Sequence, residues 1–167
     1  MMKKIIIILI CVVLAVAIIG SFGTSNNDTD TDTEIVTDKV EVSAEDDSNI
    51  GKYVLEIDSC RLAEDYEGKS VAIVKYIFTN NDDNPVSFMV AFDDAVYQNG
   101  IGLNNSYFLA DSANYSVDNQ SKEIRTGATI EVEVAYELND STSDLEVEVG
   151  ELFSFSDKKI TKIFTIA

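Results

Sequence analysis

The stretch "ATIEVEVAYEL", residues 128–138, decides the fold class. Ala128, Ile130, Val132, Val134, Tyr136 and Leu138 fall on one side, and Thr129, Glu131, Glu133 and Glu137 on the other. A period of two with one apolar and one wet face marks an antiparallel strand on the outside of a packed sheet. Outward from it, "LEVEV" (145–149) repeats the pattern with Glu146 and Glu148 facing water. "YVLEI" (53–57) turns Tyr53, Leu55 and Ile57 inward. "VAIVKYIFTN" (71–80) is apolar on both faces apart from Lys75, which predicts a central strand. "VSFMVAF" (86–92) reads as a strand with Val86, Phe88, Val90 and Phe92 inward, and "LFSFS" (152–156) and "KITKIFTI" (159–166) read as further strands.

Turn chemistry separates these runs: "EGK" at 67–69, "NNDDNP" at 80–85, "RTG" at 125–127, "LNDSTSD" at 138–144 and "SDKK" at 156–159. Roughly seven to nine short strands at this spacing predict an all-β fold, an immunoglobulin-like antiparallel β-sandwich. It occupies residues 51–167, a length that supports one core. Residues 104–120, "NNSYFLADSANYSVDNQ", are the least patterned and are expected to form a loop crossing between sheets. No amphipathic helix is visible in this part.

Before the domain, residues 1–22 read as a signal peptide or an N-terminal membrane anchor. Lys3 and Lys4 precede an apolar run from Ile5 to Ile19, expected to be helical, and the lysines favour a cytoplasmic N-terminus with the remainder exported. Ser21 and Gly23 have the spacing of a cleavage site, so both fates stay open. Ile10 before Cys11 argues against lipidation at that cysteine, and Cys60 reads as a small buried hydrophobe. Residues 23–50 are rich in like charges and poor in large apolar groups, which predicts a disordered acidic linker. Its "DTDTDTE" run mimics a calcium loop but has Thr33 where the loop needs Gly and Lys39 where it needs Glu.

The net charge is −18. Residues 51–167 hold 9 bases and 21 acids, a balance of 9 − 21 = −12. Such a surface repels nucleic-acid phosphates and anionic headgroups, so no nucleic acid is expected as partner and the membrane only through the N-terminal segment. Cationic partners or metal ions suit it better.

The segments "DYEGKSVAIVKYIFTNNDDNPVSF", "VYQNGIGL", "KEIRTGATIEVEVAYELND" and "VEVEVGELFSFSDKKITKIF" occur in an order that resembles the bacterial domain of unknown function 5067 family. Its members are exported or lipid-anchored proteins of Gram-positive bacteria. The resemblance covers about residues 51–167 and implies an extracytoplasmic Ig-like β-sandwich. It implies no activity and no catalytic residues.

Candidate sites are few. In "DDAVYQNGIGL" (93–103), Asn99-Gly100 is a two-residue hairpin signal, and it places Tyr97 and Gln98 beside the tip. Tyr97, Gln98, Tyr107, Phe108 and Tyr115 are the expected binding residues, because aromatics dominate binding hot spots. Asp82, Asp83, Asp93 and Asp94 are the candidate metal ligands, with calcium as the possible ion. The chain has no His, so the usual general base near neutral pH is missing and no enzyme is expected. Ser156 and Lys159 match Ser-x-x-Lys only formally, in a turn between strands. The expectation is a non-enzymatic surface module that binds a protein or an envelope component. The alternatives are a calcium-stabilised surface domain and, less favoured by the residues, an envelope-glycan hydrolase. The protein is expected outside the membrane, anchored by its N-terminal helix or secreted after cleavage.

Overall fold

The computed structural model describes residues 48–166. The apolar segment, Cys11 and the linker up to residue 47 lie outside the described residues. Eight strands follow in order: β1 (Asn49–Ile50), β2 (Tyr53–Glu64), β3 (Ser70–Asn80), β4 (Phe92–Gln98), β5 (Ile101–Gly102), β6 (Thr129–Glu137), β7 (Leu145–Glu151) and β8 (Lys159–Phe164). They form two four-stranded sheets, β1-β2-β3-β6 and β5-β4-β7-β8, and every pairing is antiparallel. The fold is therefore all-β, as the alternating segments predict.

The two sheets share one core. Leu55, Val74, Tyr76, Phe78, Val132 and Val134 from the first sheet meet Phe92, Val96, Leu145, Val147, Val149 and Phe164 from the second. Tyr53, Phe78 and Phe92 pack edge to face at centroid distances of 5.1 to 5.7 Å. This offset geometry suits the ring quadrupoles.

The expected central strand is β3, which lies between β2 and β6. Its outward residue Ile73 is buried together with Ala135 of β6, because the 104–124 connection runs across that face and lays Ala113, Leu109 and Tyr115 over them. The connection is held by hydrogen bonds. Arg61 donates to the Ala113 and Asn114 carbonyls and pairs with Glu133, while Gln120 Nε2 and Asn119 Nδ2 donate to the carbonyls of Glu133 and Glu131. The loop does cross between sheets, from β5 in one to β6 in the other.

Two strand expectations are corrected. Residues 86–92 are not one strand: Phe88–Ala91 form a single helical turn, α1, and β4 begins only at Phe92. The amides of Val90 and Ala91 both bond to the Ser87 carbonyl. The turn points Phe88 and Ala91, three residues apart, into the core and leaves Met89 and Val90 outside. "LFSFS" is also not a strand: β7 stops at Glu151 and the following residues are the connection to β8. Ser154 Oγ and Ser156 Oγ accept the amides of Ser156 and Lys158, local turns that compete with a ladder.

A register shift between Ile57 and Ser59 bulges β2 at Asp58, so Ile57 and Cys60 both face inward. Lys162 of β8 donates to the carbonyls of Ile57 and Asp58, at 3.1 and 3.0 Å, and joins the two sheets at this edge. Burial pushes the Cys60 thiol up to about 12.

A polar bridge also crosses the core. The Tyr136 hydroxyl donates to Asp94 Oδ2, and the Tyr76 and Tyr136 hydroxyls lie 3.3 Å apart. Burial raises the Asp94 carboxyl above its ordinary value, and the Tyr136 bond offsets part of that. A folded value above the unfolded one means that stability is fullest in acid and declines as pH rises through the folded value. Asp94→Asn is therefore expected to melt a few degrees above the parent at pH 7, with the gap closing toward pH 4. Thermal melts across that range check it; a constant or inverted gap contradicts the burial argument.

Candidate functional site

Tyr66, Tyr107, Phe108 and Leu109 line an open groove of about 530 Å³. The first three rings are 69%, 62% and 73% exposed. Isolated exposed apolar residues are ordinary, but rings gathered in one groove mark an interaction surface.

Local chemistry builds the groove. The β2–β3 hairpin turns at Asp65–Lys69, where Asp65 Oδ1 accepts the amides of Glu67 and Lys69, both at 2.8 Å. Gly68 takes the positive φ of 79° that the turn requires. Tyr66 rides on this tip. The crossing loop meets it: Asp65 bridges Leu109, the Tyr66 amide donates to the Phe108 carbonyl, and the Ala110 amide donates to that of Glu64. The Tyr66 and Phe108 rings then stand edge to face at 6.3 Å. The Tyr66 hydroxyl donates to Glu67 Oε1, which raises the phenol above its ordinary value. A second hollow of about 350 Å³ adjoins through Tyr107 and Leu109 and adds Asp111, Asn114, Tyr115 and Val117. The pair of hollows offers ring faces, phenol hydroxyls, one carboxylate and one amide.

Of the five expected binding residues, the structure brings Tyr107 and Phe108 together in the groove. Tyr115 reaches it only in part: its ring packs on the outer face of the first sheet, and its hydroxyl accepts Gln120 Nε2 at 3.0 Å. Burial raises that phenol too. Tyr97 stands on β4, in the other sheet, next to Gly102 of β5. The hairpin beside it forms as its sequence predicts, with Asn99 and Gly100 at φ 51° and 74°.

Gln98 is 1% exposed and its amide is used internally. Nε2 donates to the carbonyls of Asp140 and Ser143, and Oε1 accepts the amides of Asn139 and Asp140. It corrects the expectation of a binding residue: Gln98 serves as the backbone clamp for the 138–144 loop. Asp140, half-buried in that loop, accepts the amides of Thr142 and Ser143, which holds its carboxyl down to about 2.

The four candidate metal ligands do not converge. Asp82 pairs with Lys52 at 3.2 Å, and Asp83 is exposed in the same loop. Asp93 faces solvent while its neighbour Asp94 turns inward to Tyr136, as strand alternation dictates. Among the described residues no group of three or more His, Cys, Asp or Glu is placed to hold an ion. Lys159 pairs with Glu148, and Ser156 Oγ accepts a backbone amide.

Tyr66 was not legible as a site residue, nor Phe153 and Phe155 as loop rings. Tyr66 sits just before the EGK turn signal at 67–69, and the Phe-Ser alternation of 152–156 imitates a strand.

A two-sheet antiparallel domain with an open aromatic groove is the class of protein that these residues define. The chain belongs to the Domain of unknown function (DUF5067) family, whose profile matches residues 24–151. A solved structure of a candidate lipoprotein from Staphylococcus aureus subsp. aureus NCTC 8325 has a similar fold, with a TM-score of 0.54 and 18% identity over 69% of this chain and 84% of that one. No curated protein matches the chain.

Gln98→Ala leaves two partly buried carbonyls and two amides without their partner, at a cost of about 2 kcal/mol. The expected outcome is a lower denaturation midpoint with an unchanged slope; a midpoint equal to the parent's contradicts the clamp.

Proposed function

We propose that the domain is a non-enzymatic binding module displayed outside the cytoplasmic membrane, and that it takes a protein or an envelope component on the Tyr66–Tyr107–Phe108 groove. The observation that carries this reading is the gathering of three exposed rings from two chain segments 40 residues apart into one groove. Aromatic rings give large contact area at low entropic cost, which is why they anchor interfaces. The likeness to a candidate lipoprotein fits an extracytoplasmic or membrane-associated setting.

We read the strand order as immunoglobulin-like, which supports the same reading. The order β2-β3-β6 corresponds to strands A-B-E of that fold, and β5-β4-β7-β8 to C′-C-F-G. Such sandwiches present ligands at loops clustered at their two ends. The groove stands at one end, between the β2–β3 tip and the crossing loop.

The test is co-sedimentation with isolated cell envelopes. The double substitution Tyr107→Ala, Phe108→Ala removes exposed rings, so the melting temperature stays within a degree or two of the parent. Envelope binding is expected to fall about tenfold or more. Unchanged binding by the double variant, or no envelope binding by the parent, rejects this reading.

A further inference from the structure

The groove and the hollow that adjoins it differ in chemistry. Tyr66, Tyr107, Phe108 and Leu109 give the groove apolar walls, and the hollow adds the Asp111 carboxylate and the Asn114 amide. Tyr107 and Leu109 line both, so a ligand that fills one reaches the other along them. Asp111 opens a short turn of 3-10 helix, Asp111–Ala113, and its side chain caps nothing there. It is exposed, and among the described residues its carboxylate has neither a hydrogen bond nor an ion pair. Asn114 holds a left-handed backbone at φ 46°, and Arg61 pins the stretch by donating to the Ala113 and Asn114 carbonyls. The hollow is thus formed before any ligand arrives, which lowers the ordering cost of binding.

The charge of these walls has one sign. Residues 64–69 and 104–120 hold five acids and one base, a balance of 1 − 5 = −4. That base, Lys69, is matched by Glu67 at 2.7 Å. Arg61, beneath the loop, is spent on backbone carbonyls and on Glu133 at 3.1 Å. Aromatic faces are the negative ends of a quadrupole and attract ammonium and guanidinium groups. An anion is repelled by these walls. A purely apolar ligand uses the rings and leaves Asp111 without a role. A cation with an apolar neighbour uses both hollows.

We propose that the groove takes a basic segment of a partner protein. An arginine or lysine of that segment sets its charged head on Asp111 and lays its stem along Tyr107 and Leu109, and a neighbouring apolar side chain enters between Tyr66 and Phe108. This rests on the reading of the groove as the binding site and names the chemistry of what it binds. Two features favour a peptide over a cationic glycan. A sugar ring stacks on a flat face, whereas the Tyr66 and Phe108 rings stand at 89° to one another and form a notch. The apolar and acidic hollows also lie side by side, which asks for apolar and cationic groups on one ligand. A peptide carries both as side chains, and an aminated glycan carries only the second. The acidic surface around the site adds steering, which makes the attraction sensitive to salt.

The full chain in detergent micelles is titrated into fluorescein-labelled peptides of one design, Leu-Gly-X-Gly-Leu-Gly-X, with X as arginine, citrulline or glutamate. Citrulline keeps the shape of arginine and loses its charge. The arginine peptide is expected to bind about tenfold tighter than the citrulline peptide at about 0.05 M salt, with the gap narrowing at about 0.5 M. Asp111→Asn is expected to weaken the arginine peptide about fivefold and to leave the citrulline peptide unchanged, and Asp111→Lys to shift the preference toward the glutamate peptide. Both substitutions sit at an exposed position, so the melting temperature stays close to the parent's. Equal binding of the arginine and citrulline peptides overturns the proposal, as does an arginine preference that Asp111→Asn leaves intact. Failure of all three peptides to bind overturns it too. So does tight binding of a glucosamine oligomer with none by the arginine peptide, which identifies a glycan. Each of these results leaves envelope co-sedimentation, and its loss in the Tyr107→Ala, Phe108→Ala variant, to judge the groove itself, so the two readings fail separately.

Discussion

Over Val71–Val74, strand β3 has no face that water can hold, and the rest of the domain is arranged around that fact. Val74, Tyr76 and Phe78 point to one side and Val71 and Ile73 to the other, all essentially without exposure. Opposing sheets cover the first side. The second side has no sheet, so the 104–124 connection must lie across it. Burying those side chains outweighs the ordering entropy of a loop that has no ladder of its own. The loop in turn needs partners for its carbonyls and amides, and Arg61, Gln120 and Asn119 supply them. Phe108 and Tyr107 are therefore held in place by a requirement of the core and not by a site of their own.

This dependence explains what the sequence does and does not reveal. Period-two alternation reports a strand's facing, so β3, β6, β7 and β8 were legible within a few residues, while β2 was legible only over 53–57 and its bulged remainder to Glu64 was not. The double-sided apolarity of β3 correctly indicated a central position. Alternation alone cannot separate a strand from a turn with the same spacing. Met89 and Val90 escaped the strand pattern because Pro85 and Ser87 lead into a helical turn. Phe153 and Phe155 escaped it because serine side chains capture the backbone that a ladder would have used. The groove was half legible. Tyr107 and Phe108 were noticed as aromatics in an unpatterned stretch, whereas Tyr66 joins them only through contacts between distant segments. Gln98 beside a hairpin tip reads as available for binding until the 138–144 loop is seen folded around it.

Electrostatics shapes the same molecule in a different way. Most of its acids are solvated, and the visible pairs (Lys52 with Asp82, Lys75 with Asp58, Lys159 with Glu148) are partly exposed and contribute little each. Asp65 is buried with two amides on its carboxylate, whereas Asp94 is the acid whose burial raises its carboxyl above the ordinary value. Its carboxyl is enclosed between the sheets with only tyrosine hydroxyls for company, where an apolar residue would pack at lower cost. A group of this kind fixes how two sheets face one another, since the Tyr136 hydroxyl has one acceptor to meet.

The placement of Cys60 has a consequence for its reactivity. A thiol attacks disulfides only as its thiolate, and one pushed up to about 12 carries almost none at neutral pH. The sulfur is also walled off by the bulged strand and the opposite sheet. The folded domain can thus pass through an oxidising environment without covalent dimers and without a second cysteine to guard the first. The thiol is exposed to such chemistry only while the chain is unfolded, before β2 and the opposite sheet enclose it.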